Sequence, residues 1–355
     1  MLKLKQIFKT KYFIACISIL LICCMFTFYI VFLWKNTETK TVSLPTLPVE
    51  DYATYSASEG YLAYDISEIY NGSPWKEEWD ITTLPVFYNV DFKNSSNAEN
   101  YEHKINIMKN KMKYLEEIAQ NFGVTDNYTI KYGTEEGKLE NKEISFQNYI
   151  YDNTILITFK KPIKLPFENT QQNKEQSEKI ISYFIDNYKD CFGWKEAEKA
   201  LHFDYSIEGK KYFLLYAYEK GNTLEQELLN YHFNNVCIIT NEKNEITSAL
   251  FKKTDLSDKI GEYAIITSEQ AKQLLYSGKY TSTLSNTFSQ NMTIVKTELV
   301  YRNTIYDSIY MPCYKFFVQL PHIEGDGLRH YDVYYIPAIK QQYLEYTNDI
   351  EYQFD

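Results

Sequence analysis

The chain has 355 residues, with 37 basic and 47 acidic side chains, a formal net charge of −10 and 45% apolar residues. The apolar fraction is sufficient for a packed core and excludes a disordered chain, and the 12 Gly and 9 Pro exclude a collagen-like repeat. The acidic balance excludes nucleic acid as the expected partner, because phosphate binding needs a basic face.

The N-terminal residues have the pattern of a membrane anchor. Residues 12–34 are 23 positions without a charge, and a helix of that length is about 34 Å long, enough to cross a bilayer core of about 30 Å. Residues 1–11 contain four lysines and no acid, so the positive-inside rule keeps them in the cytoplasm. We predict a cytoplasmic stub at 1–11, a transmembrane signal-anchor helix at 12–34, and an extracytoplasmic remainder.

A cleaved signal peptide and a lipid-attached N-terminus are the alternatives to a membrane anchor. The apolar run is longer than an ordinary signal-peptide core, and no A-x-A-like cleavage site follows it. Cys23 follows a bulky residue, Ile22, whereas a lipid-attachment site needs a small residue before the cysteine. We therefore favour a single-pass protein of the cell membrane.

Residues 35–50 are predicted to be a stalk between the anchor and the folded part. The run 43–48 contains two prolines and resists regular structure. Residues 51–100 show no clear period, and we expect irregular structure with short strands there. From residue 101 onward, helices alternate with groups of strands.

The first predicted helix, 101–122, has apolar residues at intervals of three and four, as expected for one buried face. Strands are predicted after it at 128–132, 144–151 and 154–159, with a turn at 135–138. The pattern then recurs, with a helix at 174–191, strands at 203–207 and 212–218, a short helix at 224–229, and a hairpin of 236–240 with 245–251.

A third group begins with a strand at 263–266 and a helix that follows it directly. Thr267 and Gln270 have the spacing of a capping box at the start of that helix. Strands are predicted at 292–301, 314–320 and 331–336. A helix followed by a meander predicts an α+β fold, in which antiparallel sheets each pack against one helix. We assign one or two such units to residues 51–255 and a last unit to residues 256–355.

The last unit resembles a known family pattern. The run 266–271 resembles the opening of PepSY-type modules, in which a strand leads into a capped helix. Three later runs, 299–301, 311–318 and 334–338, resemble strands of membrane-anchored proteins of low-GC Gram-positive bacteria with PepSY-like or YycI-type extracytoplasmic domains; the run 75–89 resembles an element of the same proteins.

The resemblance covers roughly the last 95 residues. It implies PepSY-like or cystatin-like units and a role in inhibiting peptidases or regulating partners at the envelope. It implies no catalytic residues, and none are carried over.

One polar cluster near the C-terminus could hold zinc or another divalent ion, because it combines imidazoles with carboxylates. Its members are His322, Glu324, Asp326 and His330, with Asp332 following. The spacing matches no established zinc or calcium loop, and glycines flank Asp326 as in an ordinary turn. We predict no metal and no other cofactor, and keep these residues as candidates only.

Catalytic residues are not indicated elsewhere. The chain has none of the common nucleophile, zinc-protease or phosphate-loop motifs. His103, His202 and His232 are isolated in sequence, and we expect each of them at the surface or at a sheet edge. Three carboxylates, Glu77, Glu78 and Asp80, lie beside Trp75 and Trp79, as a carboxylate pair lies beside sugar-stacking aromatics in a glycosidase. We predict instead an exposed charged turn held by two half-buried Trp side chains.

These patterns predict a non-enzymatic binding or regulatory protein of the cell envelope, with a membrane protein or a cell-wall enzyme as its partner. One alternative is an envelope hydrolase whose site assembles only in the fold. Convergence of His322 and His330 with their acids, or of two carboxylates in a cleft, would favour it. The other alternative is a carbohydrate- or peptide-binding surface, which needs a row of exposed Tyr or Trp side chains.

Overall fold

The computed structural model describes residues 43–346, except 50–58, 70–72, 93–100, 151–152, 168–172, 207, 283–287, 290, 305–306 and 324–326. The predicted stub and transmembrane helix, and most of the predicted stalk, lie outside the described residues. Within the described part of the chain, no helix is both long enough and apolar enough to span a bilayer.

The main helices are α1 (Tyr101–Asn121), α2 (Lys174–Tyr188), α3 (Leu224–Phe233) and α4 (Ser268–Tyr276). The strands are β1 (Leu47–Val49), β2 (Gly60–Ala63), β3 (Thr83–Tyr88), β4 (Thr129–Tyr132), β5 (Glu136–Glu140), β6 (Ile144–Tyr149), β7 (Thr154–Ile163), β8 (Ala197–Tyr205), β9 (Lys211–Glu219), β10 (Asn234–Thr240), β11 (Ile246–Lys253), β12 (Lys259–Ala264), β13 (Thr293–Tyr301), β14 (Ile309–Tyr310), β15 (Pro312–Ile323), β16 (Arg329–Pro337) and β17 (Leu344–Tyr346). The α+β class with mostly antiparallel sheets is confirmed; β1 and β17 pair in parallel.

One antiparallel sheet of eight strands runs in the order β4-β5-β6-β7-β11-β10-β9-β8. Its first half is a meander that follows α1. Its second half follows α2 and is interrupted by α3. The halves join where β7 lies antiparallel to β11, with Leu156 opposite Leu250. Two helix-and-meander groups therefore share one continuous sheet, which we call the eight-stranded region (residues 101–253).

Helices α1 and α2 bury their apolar stripes in the same core. The stripe of α1 includes Met112 and Leu115, and that of α2 includes Ile180 and Phe184. The core is aromatic at its centre, where the rings of Phe192 and Phe251 lie 4.5 Å apart. The three- and four-residue spacing of the stripes thus gives each helix one buried face, and the periodicity predicts both helices correctly.

The remaining sheets combine residues that are far apart in sequence. A four-stranded sheet has the order β13-β15-β16-β2, and a three-stranded sheet has the order β12-β3-β14. Residues 59–88 therefore complete sheets whose other strands lie in 259–337, and we call these two segments together the composite region. Helix α3 buries Leu228, Leu229 and Phe233 in the core of this region, so it links the two regions.

Two local features of the composite region follow directly from sequence. The capping box of α4 is confirmed: the Gln270 amide N–H donates to Thr267 Oγ1 at 3.2 Å, and the Thr267 N–H donates to Gln270 Oε1 at 3.0 Å. Buried tyrosines donate their hydroxyls to backbone carbonyls, as Tyr301 does to Pro85 at 2.8 Å and Tyr314 to Ile266 at 2.9 Å. These bonds explain how so many Tyr side chains fit in a core.

The turn predicted at 135–138 is wrong, because residues 136–140 form β5. The chain turns earlier, where the Gly133 N–H donates to the Glu136 carbonyl at 2.9 Å. Gly137 is needed for packing, since a Cβ there would overlap the Met112 sulphur of α1. The strand predicted at 203–207 also begins earlier, at Ala197.

Candidate functional site

The predicted metal cluster falls largely outside the described residues. Glu324, Asp326 and the side chain of His322 are not described, whereas His330 is half-buried on β16 opposite Leu62 of β2. No group of three or more His, Cys, Asp or Glu side chains within the described ranges could hold a metal ion. His322, Glu324, Asp326 and His330 therefore remain candidate metal ligands from the sequence alone.

The isolated histidines have different environments. His103 is exposed on α1, as expected. His202 lies on the edge strand β8, yet it is only 2% exposed, because β2 packs against β8. His202 and His232 line one cavity of about 230 Å³ between the eight-stranded and composite regions. The sequence contains no signal that these two histidines meet.

Burial and nearby positive charge act on both imidazoles in the same direction. Burial lowers the pKa of His202 to about 3, with Lys296 and Lys315 contributing. Burial also lowers the pKa of His232 to about 3, with Lys252 and Lys315 contributing. Both rings are therefore neutral at ordinary pH. Tyr231 Oη lies 3.4 Å from His202 Nε2, which places a neutral polar network in this cavity.

A larger cleft of about 780 Å³ lies along β13. Its walls are residues 294–298 of β13, the segment 73–78 and the first turns of α4. Ser268 Oγ of α4 donates to Glu77 Oε1 at 2.8 Å, which joins the two walls opposite the strand. Strand β13 is an edge strand of its sheet, and five consecutive residues of it line this cleft. We call it the β13 cleft.

A buried carboxylate forms part of the β13 cleft. Glu298 is 4% exposed, and its Oε1 lies 2.8 Å from Lys296 Nζ. Its Oε2 is inaccessible to solvent and has no hydrogen-bond partner in the described structure. Lys296 Nζ also donates to the Ile69 carbonyl at 3.2 Å. An unpaired buried carboxylate oxygen is costly, and because this one is closed to solvent, a donor in the cleft would reach it only after a side chain moves.

Charged and aromatic side chains line the rest of this cleft. Trp75 lies edge-on to Tyr314, with the ring centroids 6.1 Å apart, and Phe316 contributes a second apolar surface. The charged residues that line it besides Lys296 and Glu298 are Lys76, Glu77, Glu78, Glu269 and Lys272. The cleft is therefore of mixed charge.

The turn predicted between Trp75 and Trp79 is confirmed: both Trp side chains are half-buried, and Glu77 and Glu78 between them and Asp80 after them are exposed. The sequence did not indicate that Glu77 and Glu78 share a cleft with Glu298, more than two hundred residues away. The one available signal is the pair Lys296 and Glu298 inside a strand that has no other charged residue.

Strand β4, at one edge of the eight-stranded sheet, is less suited to binding. Strand β4 has four residues, all of them exposed, and carries Lys131; short, charged edge strands resist pairing with another chain. Strand β13 has nine residues and a shaped cleft beside it. No two of the exposed tyrosines of the described chain lie on the same helix or strand, and the carbohydrate- or peptide-binding surface stays a prediction.

Comparison with family models finds no match for this chain, and comparison with curated proteins finds none either. The function of the β13 cleft is therefore argued from its own geometry.

Proposed function

We propose that this protein is a non-enzymatic binding and regulatory protein of the cell envelope, and that the β13 cleft holds an extended segment of its partner. The partner is a membrane protein or a cell-wall enzyme. The single observation that carries the proposal is the buried, unpaired oxygen of Glu298 beside an open strand edge.

The strand edge supplies the first half of the argument. An extended peptide can add to an exposed sheet edge, where main-chain hydrogen bonds provide affinity and side-chain pockets provide specificity. Residues 294–298 of β13 line the cleft, and Trp75 and Phe316 offer apolar surface beside them. The walls formed by 73–78 and α4 would confine the added strand.

Glu298 supplies the second half. Its buried Oε2 has no hydrogen-bond donor, and a Lys, Arg, Ser or Thr side chain of the bound segment would provide one once a side-chain movement opens this oxygen to the cleft. Hydrogen bonds to a charged group are stronger than those between neutral groups, so this contact favours one register of the bound segment over its neighbours. We therefore expect a segment with a donor side chain at one fixed position.

The predicted anchor places this cleft outside the cell. The transmembrane helix predicted at 12–34, with a lysine-rich stub before it, would direct the remainder across the membrane. The PepSY and YycI-type resemblance supports a regulatory role at the envelope. Each half of the eight-stranded sheet has a helix before its four strands, and α3 interrupts the second half. This arrangement is consistent with PepSY-like or cystatin-like units.

Photo-crosslinking in intact membranes of the source cell tests the proposal. A photoreactive residue replaces Thr297 in the β13 cleft of the full-length protein, and the matched control replaces Thr129 on the exposed strand β4. We expect position 297 to capture one protein through one defined segment, identified by mass spectrometry. The Glu298→Gln variant, which keeps the side-chain shape, should reduce that capture at least fivefold.

Equal capture from both positions, or capture that the Glu298→Gln variant leaves unchanged, would contradict a specific peptide cleft. Failure of position 297 to capture any protein would contradict it as well. The stability of each variant is measured in parallel, so that a folding defect is recognised as such.

A hydrolase is the second candidate, because the cleft brings together carboxylates from three separate segments: Glu77, Glu78, Glu269 and Glu298. Glycoside hydrolysis requires two carboxyl groups on opposite sides of a sugar. Incubation of the full-length protein with purified cell wall distinguishes the two functions. Release of soluble sugar fragments that stops in the Glu298→Gln variant would favour the hydrolase; binding without release favours the regulatory protein.

A further inference from the structure

The cavity of about 230 Å³ that His202 and His232 line, which we call the histidine cavity, is surrounded by hydrogen-bond donors. Every described residue of its lining carries a side-chain N–H or O–H, and neither a carboxylate nor an aliphatic side chain is among these described residues. The other members of the lining are Tyr216, Tyr218, Tyr231, Asn235, Lys252 and Asn303. The volume lies below the range of about 300–1,000 Å³ for drug-sized ligands, so a bound molecule would be small.

Five residues of the lining are half-buried, so part of their surface is open: Tyr216, His232, Asn235, Lys252 and Asn303. Asn235 Nδ2 donates to the Tyr231 carbonyl at 2.8 Å, and Asn303 Nδ2 donates to the His232 carbonyl at 2.5 Å. Each bond uses one of two amide hydrogens, and each amide has a second hydrogen to donate. His202 Nδ1 and His232 Nε2 are closed to solvent, so neither of these atoms bonds a molecule in the cavity.

The charges around the histidine cavity are positive. Lys252 is the one charged residue among the described residues of the lining, and its Nζ donates to the Asn303 carbonyl at 3.2 Å. The charges that help to lower the pKa values of the two imidazoles are also lysines, Lys252, Lys296 and Lys315. Lys296 and Lys315 each pair with a glutamate, so Lys252 is the cation expected to contact a ligand.

This positive cavity lies in a chain whose net charge is −10. A cation that entered it would lose hydration without gaining a counter-charge. An anion would gain both a counter-charge and donors, and hydrogen bonds to a charged group are stronger than those between neutral groups. The charge and the donors of the lining therefore favour the same class of ligand.

We propose that the histidine cavity binds a small oxyanion of the size of phosphate or sulfate. Lys252 would supply the positive charge, and the amides of Asn235 and Asn303 would donate to the oxygens of the anion. The bound charge would oppose the lysines and raise the pKa values of both histidines. The site shares no lining residue with the β13 cleft, and it does not depend on the function proposed for that cleft.

Calorimetry on the full-length protein in detergent tests this site with inorganic phosphate, sulfate and methyl phosphate, at pH 7 and constant ionic strength, with ammonium as the matched cation. We expect phosphate and sulfate to bind at least tenfold more tightly than ammonium. Methyl phosphate that binds as tightly as phosphate would support the terminal phosphate of a larger molecule as the ligand, and binding at least tenfold weaker would support the free ion. A cavity that holds only water would bind neither phosphate nor sulfate, and that result overturns the proposal.

Two variants connect binding to the histidine cavity. Lys252→Met keeps most of the side-chain length without the charge and should weaken phosphate binding at least tenfold. Asn303→Asp keeps the side-chain shape, places a carboxylate beside Lys252 and should abolish binding. Lys253→Met, at the next residue of β11, which is exposed, is the control and should leave binding unchanged. The melting temperature of each variant without phosphate identifies a folding defect. Binding that Lys252→Met and Asn303→Asp leave unchanged overturns the proposal.

Discussion

The eight-stranded and composite regions differ in how many charged side chains they bury. The described residues bury five charged side chains almost completely, and all five belong to the composite region: Glu298, Arg302, Asp307, Lys315 and Asp332. The core of the eight-stranded region is aliphatic and aromatic. A region assembled from distant segments thus carries the buried charges, whereas the contiguous region depends on apolar packing.

Lys315 illustrates what the composite region gains from its charges. Its ammonium contacts Glu59 and lies 2.9 Å from Tyr61 Oη. The rings of Phe317 and Tyr335 lie 4.9 and 5.9 Å from it. These contacts join β2 and its preceding residue to β15 and β16. The charge therefore fixes how the separate segments meet, a task that the contiguous region does not have.

The largest effect is expected from Lys315→Met, which keeps most of the side-chain length and leaves Glu59 without its cation. Because Glu59 is partly exposed, we expect a loss near the lower end of about 3–5 kcal/mol in the free energy of unfolding. Urea denaturation measures it. The Glu59→Gln, Lys315→Met double variant should recover most of the loss. Lys279→Met, at an exposed lysine, is the control and should change stability by less than about 0.5 kcal/mol. A loss in Lys315→Met no larger than that in Lys279→Met would mean that the buried charge adds nothing to the stability of the composite region.

The second prediction concerns pH. The pKa values of His202 and His232 in the folded state, about 3, lie below about 6.5 in the unfolded chain. As pH falls below 6.5, the unfolded chain therefore takes up protons first, and stability is lost progressively towards pH 3. Each histidine should lower the unfolding free energy by about 2 kcal/mol at pH 5.

Thermal unfolding at pH 7, 6 and 5 checks this prediction. Replacing His232 by Gln should remove about half of the pH-dependent loss, while His103→Gln, at an exposed position, should leave the profile unchanged. A flat profile in the unmodified protein would show that His202 and His232 take up protons in the folded state as readily as in the unfolded chain.

A smaller effect is expected in the apolar region. Phe251→Leu keeps an apolar side chain at the centre of the eight-stranded core, where Phe251 is 0% exposed, and should cost about 1–1.5 kcal/mol. Urea denaturation beside Lys315→Met provides the direct comparison. A loss equal to or above that of Lys315→Met would mean that close packing in the eight-stranded core contributes at least as much to stability as the buried charge of the composite region.

The smallest effect is expected at the helix starts. The Thr267→Ala, Gln270→Met double variant removes both bonds of the capping box of α4 and should cost about 1 kcal/mol. Thr223→Ala at α3 removes a single bond, from the Gln226 N–H to Thr223 Oγ1 at 3.1 Å, and should cost less. The two unfolding free energies are compared directly, and equal losses would argue that the reciprocal bond of Gln270 adds nothing.

The features that the sequence predicts are those that depend on neighbouring residues. The stripe of α1, the capping box at Thr267 and the polar loop 241–244 each involve a local repeat or a short-range bond. Strand β5 is missed because its Glu136, Gly137 and Lys138 resemble turn residues, and the reason for Gly137 is a helix that approaches from another part of the chain.

The functional site was less accessible to prediction for the same reason. Glu77, Ser268 and Glu298 come together only because two distant segments form the composite region. The meeting of His202 with His232 likewise depends on how α3 packs between regions. Long-range strand pairing leaves no periodic trace in one sequence, so neither the β13 cleft nor the histidine cavity could be found without the fold.

The pairing of β7 with β11 has a consequence for how such a sheet can arise. Each is the fourth strand of its own helix-and-meander half, and they lie antiparallel, so equivalent edges meet as they do across the two-fold axis of a homodimer. A single half alone would expose that long strand edge. The seam is therefore an intramolecular counterpart of a self-complementary dimer interface, fixed permanently by the chain that connects its halves.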